Sequence, residues 1–216
     1  MERGLFITFE GSEGCGKSTQ IAALSDRLEA AGVASVVTRE PGGTSIGEVI
    51  RDLLQFREEG DGMTAEAELL LFAASRAQLV REVVAPAVRS GKVVLADRFM
   101  DSTTVYQGVA RRLDDTVVGM INEFAVAEFV PDITFLLDMD SDTAHRRATE
   151  TSGAFGRKDR MESQPLSFYE NVRTGYLELA KRSGDRICVL DAGLSVGEIG
   201  EEIWEILRER YCGVFG

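Results

Sequence analysis

Five short runs of β-favouring apolar residues recur along the chain, at Leu5 to Glu10, Val33 to Thr38, Lys92 to Ala96, Ile133 to Asp138 and Arg186 to Leu190. Each reads as apolar on both faces, which a strand tolerates only when both sides of its sheet are covered. Longer segments of helical period separate them. One runs from Lys17 to Ala31, with Gly32 placed to end it. Another begins near Thr64 and carries an apolar stripe through Leu69, Leu70, Phe72, Ala73 and Leu79-Val80. A third covers about Asp114 to Glu128 before Pro131. Later ones span about Ser141 to Glu150, Pro165 to Arg182 and Ser195 to Arg210, with Gly184 and Gly213 as stop signals. Strands alternating with helices in this way predict an α/β fold, a doubly wound five-stranded parallel sheet with helices on both faces. Two stretches read as loops: the acidic Glu58 to Met63, and Thr151 to Glu162, which gathers Arg157, Lys158, Asp159 and Arg160.

At 216 residues the pattern makes one domain, residues 1–216. The formal net charge of −12 argues against nucleic acid and against anionic membrane as partners, so any bound anion needs a local cluster of cations. Cys15, Cys188 and Cys212 are odd in number and lack metal-ligand spacing, which suits a reducing compartment. The first apolar run is too short for a signal segment, and no run reaches a membrane-spanning length, so the expected location is cytoplasmic.

The strongest chemical signal is Gly11-Ser12-Glu13-Gly14-Cys15-Gly16-Lys17-Ser18, which fits G-x-x-x-x-G-K-[ST] directly after a strand and at the start of a helix. Glycines let successive N–H groups turn toward phosphate, and the helix N-terminus adds partial positive charge. Lys17 is expected at the β- and γ-phosphates of ATP and Ser18 on Mg²⁺. Cys15 within the loop is read as a small filler rather than a reactive thiol. The fold is therefore of P-loop NTPase type.

Asp97 and Arg98 fall just past the carboxyl end of a strand, where open α/β sheets bind ligands. Arg98 there can clamp a phosphate, and Asp97 can assist the metal or fix a neighbouring arginine; a purely structural ion pair fits the same pattern. Phe72 and Arg76 share one helix face, either as a stacking and hydrogen-bonding pair or as core Phe with a snorkelling Arg, the latter being favoured on the residues alone. The hydroxyls and amide of Ser102 to Gln107 could line a nucleoside site or merely start a helix. His145, the one histidine, sits with Arg146 and Arg147 on a solvated helix face. The Thr151 to Glu162 segment could bring a cation over a transferring phosphoryl group, or remain an ordinary solvated loop.

Taken in order, Phe9-Glu10-Gly11, Thr38-Arg39-Glu40-Pro41-Gly42-Gly43-Thr44, Leu71-Phe72-Ala73-Ala74-Ser75-Arg76, Asp97-Arg98-Phe99 with Ser102 to Gly108, and Asp159-Arg160-Met161-Glu162 resemble bacterial thymidylate kinases over almost the whole chain. The resemblance implies phosphorylation of dTMP to dTDP by ATP with Mg²⁺, in a homodimer. It implies that Phe72 stacks on thymine, that Arg76, Thr103 and Gln107 bond to the base, and that Arg98 and Arg51 hold the acceptor phosphate. Glu13 and Glu40 stand near sugar and phosphate, and Tyr106 crowds a 2′-hydroxyl. On the ATP side stand the loop itself, Thr19 and Arg147; Ser18 and Asp97 are the metal candidates. Lys17, Arg98 and a lid arginine are the catalytic ones. Because position 14 is Gly, the resemblance places that arginine in a lid at about 151–162 and points to Arg157. Phe99 departs from the family pattern, in which Tyr or His is usual.

Overall fold

The five apolar runs form the strands β1 (Phe6–Glu10), β2 (Ser35–Arg39), β3 (Val93–Asp97), β4 (Ile133–Asp138) and β5 (Ile187–Asp191) of a computed structural model that describes residues 3–60, 62–147 and 165–215. They pair in parallel in the order β2-β3-β1-β4-β5, with Ile7 level with Leu95 on one side and Ile133 on the other. The chain steps from the centre to one edge, returns beside β1, then crosses to the other side. The carboxyl ends of β1 and β3 therefore lie next to each other, where a ligand crevice forms.

The helices are α1 (Lys17–Ala30), α2 (Ser45–Gln55), α3 (Ala65–Leu79), α4 (Ala85–Arg89), α5 (Met100–Thr103), α6 (Asp115–Val126), α7 (141–147), α8 (Leu166–Arg182), α9 (Val196–Arg210) and α10 (Cys212–Phe215). Local chemistry sets their starts: Thr44, Thr64 and Asp114 accept N–H groups of the first turn, and Ser195 forms a reciprocal capping box with Glu198. A wider π turn, Val80–Val84, joins α3 to α4, and another, Thr104–Ala110, follows α5.

Alternate strand residues face opposite layers. Ile7, Phe9, Val93, Leu95, Ile133 and Phe135 pack on α1 and α9 through Ile21, Leu24, Leu28, Ile199, Ile203 and Leu207. On the other face, Phe6, Val94 and Ala96 meet Leu79, Val84, Val88 and Phe129, and Leu136 meets Tyr106, Val172 and Tyr176. That second face is not apolar throughout, contrary to the sequence expectation. Thr8, Glu10 and Thr134 are fully buried on it, and the two threonine hydroxyls bond at 2.7 Å. Burial of these groups is tolerable because each finds a partner.

Other expectations also shift. Val37 and Val189, on the edge strands β2 and β5, are 52% and 46% exposed. Leu70, taken into the apolar stripe of α3, is 57% exposed. Helix α2, absent from the sequence reading, follows Thr44, and Gly213 lies inside the short α10 instead of ending the chain's helices. The acidic Glu58 to Met63 stretch holds a 3₁₀ turn at Glu58–Gly60. The expected lid, 151–162, and the end of the Ser141 to Glu150 helix beyond residue 147 lie outside the described residues.

A buried clip ties the start of β5 to α5. Arg186 donates to both carboxylate oxygens of Asp101, at 2.7 and 2.8 Å, and to the Thr134 hydroxyl at 3.0 Å. Removing one member strands a buried charge, so Arg186→Met is expected to lower unfolding free energy by roughly 3 kcal/mol in urea titration. The double variant with Asp101→Asn should recover part of that loss; a single-variant loss under about 1 kcal/mol would mark the clip as an ordinary surface pair.

Candidate active site

The turn from β1 into α1 is built for backbone approach. Gly11 has φ +133°, and a Cβ there would lie 2.5 Å from the Leu137 carbonyl and 2.9 Å from Cys15 Sγ, so no larger residue fits. Gly16 caps α1 in a left-handed conformation, with φ +98°. Lys17 folds over the loop and donates from Nζ to the carbonyls of Ser12 at 2.7 Å and Gly11 at 3.3 Å. Cys15 is buried against the core shared by α1 and α9. Ser18, the first-turn hydroxyl, donates to Asp97 Oδ2 at 2.7 Å. The Ser18 hydroxyl at the start of α1 and the Asp97 carboxylate at the end of β3 are hard oxygen donors of the kind Mg²⁺ takes.

Arg98 follows β3 with φ +68°, a left-handed conformation that costs a non-glycine residue about 1 kcal/mol or more. Its N–H continues the sheet by bonding to the Phe9 carbonyl at 3.0 Å. The side chain turns back across β1: one nitrogen donates to Glu13 Oε1 at 2.8 Å, the other to Ser102 Oγ at 3.1 Å and Tyr176 OH at 3.3 Å. The Tyr106 ring lies 5.1 Å from the guanidinium, and its hydroxyl donates to Glu13. Burial opposes the charge on Arg98, but Tyr106, Glu13, Tyr176 and Glu10 outweigh it and hold the group protonated well above its usual value. Burial also pushes the phenols of Tyr106 and Tyr176 well up, so both remain O–H donors.

Glu10, the last residue of β1, accepts four donors. Oε1 takes the backbone N–H of Phe99 at 2.8 Å and of Ser102 at 3.3 Å; Oε2 takes Ser102 Oγ at 2.6 Å and Tyr176 OH at 2.7 Å. Burial, and next the Asp101 carboxylate, raise its pKa, while Arg98 and the two hydroxyls pull it down.

Beyond Arg98 opens a cavity of about 240 Å³. Phe72, Glu40, Arg51, Thr103, Tyr106 and Gln107 line it together with Glu13, Gly14, Lys17, Ser18, Asp97 and Arg98, so the predicted loop, metal and acceptor residues converge on one space. Four cations, Lys17, Arg39, Arg51 and Arg98, face three carboxylates, Glu13, Glu40 and Asp97, which makes a locally positive site in an acidic chain. Arg51 donates to the Pro41 carbonyl at 3.0 Å. Gln107 is fixed by Glu68, whose Oε1 accepts its amide at 2.9 Å.

Arg76 sits behind this lining, 1% exposed. It donates twice to Glu40 Oε2, at 2.7 and 2.9 Å, and to Asn122 and Thr103 at 2.7 and 2.8 Å. Burial outweighs the Arg76 charge at Glu40 and lifts its carboxyl to about 7. Glu40 Oε1 is buried with no hydrogen-bond partner among the described residues. Thr19 and Arg147 are exposed and outside the cavity lining, and Arg157 lies outside the described residues.

Sequence reasoning passed over Glu10, Tyr176, Glu68 and Asn122 as site residues. A signal existed for Glu10, a carboxylate at an inward strand position beside the P-loop. Tyr176 and Asn122 arrive from α8 and α6, distant in sequence, and carried none.

Comparison with known proteins places this geometry. The sequence model of the family described as thymidylate kinase matches residues 9–203. A thymidylate kinase of Syntrophotalea carbinolica is 46% identical over 201 residues, 92% of this chain and 93% of its own. One from Halothermothrix orenii is 48% identical over 206 residues, 95% of this chain and 97% of its own. The crystal structure of thymidylate kinase from Ehrlichia chaffeensis superposes with a TM-score of 0.75 at 31% identity, covering 95% of this chain and 99% of that one. The P-loop, the Ser18–Asp97 pair and the cavity behind Arg98 are thus set in a chain that belongs to the thymidylate kinase family.

Proposed function

We propose that the chain transfers the γ-phosphoryl group of ATP to dTMP, yielding ADP and dTDP. The observation that carries this reading is the joining of two anion sites in one cavity: the P-loop with Lys17 and Ser18, and Arg98 with Arg51 across from it. Phosphoryl transfer asks for positioning and charge stabilisation more than for covalent chemistry, and a cluster of cations at the ends of adjacent strands provides both. Phe72 offers an aromatic face to a planar base, with Thr103 and Gln107 for its polar edge. Tyr106 and Glu13, bonded to each other, close the sugar side.

Ser18 and Asp97 would hold Mg²⁺, which on binding neutralises phosphate charge. Arg157, in the segment proposed as a lid, is the cation we assign to the transferring group, because Gly14 leaves the P-loop without an arginine. The three free cysteines suit action in a reducing cytoplasm. A homodimer is supported by α6, on which Val117, Met120 and Phe124 are 49%, 64% and 81% exposed at the spacing of one helical stripe.

An assay of ADP release across nucleoside monophosphates is expected to show strong preference for dTMP; equal turnover of AMP, GMP or CMP would refute the assignment. Asp97→Asn should raise the Mg²⁺ concentration for half-maximal rate about tenfold or more while leaving the dTMP KM near its starting value, and an unchanged Mg²⁺ requirement would remove Asp97 from the metal site. Phe124→Glu is expected to convert a species of two chain masses to one by light scattering; a monomer before mutation, or an unaffected dimer after it, would exclude this face.

A further inference from the structure

The mechanism proposed above uses Arg98 but leaves unexplained what holds it in a strained backbone turn with its guanidinium aimed across β1. We propose that Glu10 is the positioning residue for Arg98, acting through the hydroxyls of Ser102 and Tyr176. This inference rests on Arg98 being the acceptor-phosphate clamp.

Proton direction decides how the three side chains fit together. A hydroxyl has one hydrogen to give. The Ser102 hydroxyl is 2.6 Å and the Tyr176 hydroxyl 2.7 Å from Glu10 Oε2, both closer than the 2.9 Å between the two hydroxyls, so both spend their hydrogen on the charged oxygen. Their lone pairs are then the faces left for Arg98, whose one nitrogen approaches them at 3.1 and 3.3 Å. Guanidinium has no acceptor capacity, so a hydroxyl hydrogen turned toward it would repel it. The other carboxylate oxygen fixes the main chain: the N–H of Phe99 donates to Oε1, immediately after the left-handed Arg98. One carboxylate thus sets both the backbone turn and the side-chain acceptors of the clamp. Its own burial is complete, and it reaches the substrate cavity only through Ser102. Glu10 is for that reason a positioning residue and not a catalytic one.

Glu10→Gln keeps the shape but replaces one acceptor with an N–H₂ donor. Whichever way the amide settles, two of its four donors lose their partner. If the amide nitrogen faces the hydroxyls, one hydroxyl can donate to the other across 2.9 Å, and the remaining hydrogen is left to turn toward Arg98. The expected result is a rise of about tenfold or more in the dTMP KM with the ATP KM changed by less than about twofold. In an Arg98→Ala background the same substitution should add nothing further to the dTMP KM, since the group it positions is gone. A folded Glu10→Gln enzyme with an unchanged dTMP KM, or one whose effect multiplies fully with that of Arg98→Ala, overturns the inference. Should Glu10→Gln fail to give a cooperative melt, Tyr176→Phe and Ser102→Ala carry the same cycle and the same criteria. If Arg98→Ala itself leaves the dTMP KM unchanged, the clamp reading falls and this inference with it. A neutral Glu10→Gln beside an effective Arg98→Ala overturns the inference alone.

Discussion

A carboxylate removed from water must be ringed by donors or give up its charge. Glu10 sits under that constraint at the centre of the sheet, and the surroundings of the site follow from how it is met. Its donors come from the turn after β3, from α5 and from α8, so satisfying one side chain brings three elements to the end of β1. Asp101, a second buried carboxylate, works against Glu10 and is answered by Arg186 from the start of β5. The buried polar layer on that face is thus a chain of mutual requirements running from Arg98 through Glu10 and Asp101 to Arg186. Hydrogen-bond networks of this kind specify one arrangement because a partly satisfied version is more costly than none.

The parallel topology explains why the network lies where the chemistry is. With β1 between β3 and β4, the P-loop and the Asp97-Arg98 turn leave the sheet side by side, and Ser18 can touch Asp97 across 79 residues of sequence. The same adjacency lets Arg98 reach Glu13 within the loop. The turn after β1 and the turn after β3 are therefore joined by direct contacts.

Much of this was legible in the sequence because it rests on local signals. The strands were short apolar runs, α1 was opened by the P-loop and closed by Gly32, and α6 and α9 announced themselves through Asp114 and Ser195. Phe72, Glu40, Thr103, Tyr106 and Gln107 could be gathered by motif, and the fold brings them to one cavity. What escaped was long-range. Thr8 and Glu10 break the apolar character of β1, yet nothing nearby in sequence tells which donors answer them. The partners are Thr134, Ser102 and Tyr176, up to 166 residues away. Helix α2 was legible and simply passed over: Ile46, Val49, Ile50, Leu53 and Leu54 recur at helical spacing behind Thr44, which caps the first turn.

Arg76 shows how the same residue can satisfy two readings. Its stem belongs to the interior, as the bland reading of α3 held, yet its guanidinium is neither snorkelled to water nor presented on the cavity wall. It is held by Glu40, Asn122 and Thr103, and two of those three line the cavity. The carboxyl of Glu40 is lifted to about 7 despite this arginine, because burial outweighs the pairing. An anion brought in by a ligand favours the protonated carboxyl, and a protonated Oε1 would gain a hydrogen to donate where it now lacks any partner. Glu40 is thus the point on this wall where a buried carboxyl meets both Arg76 and the cavity, with Oε1 left without a donor among the described residues.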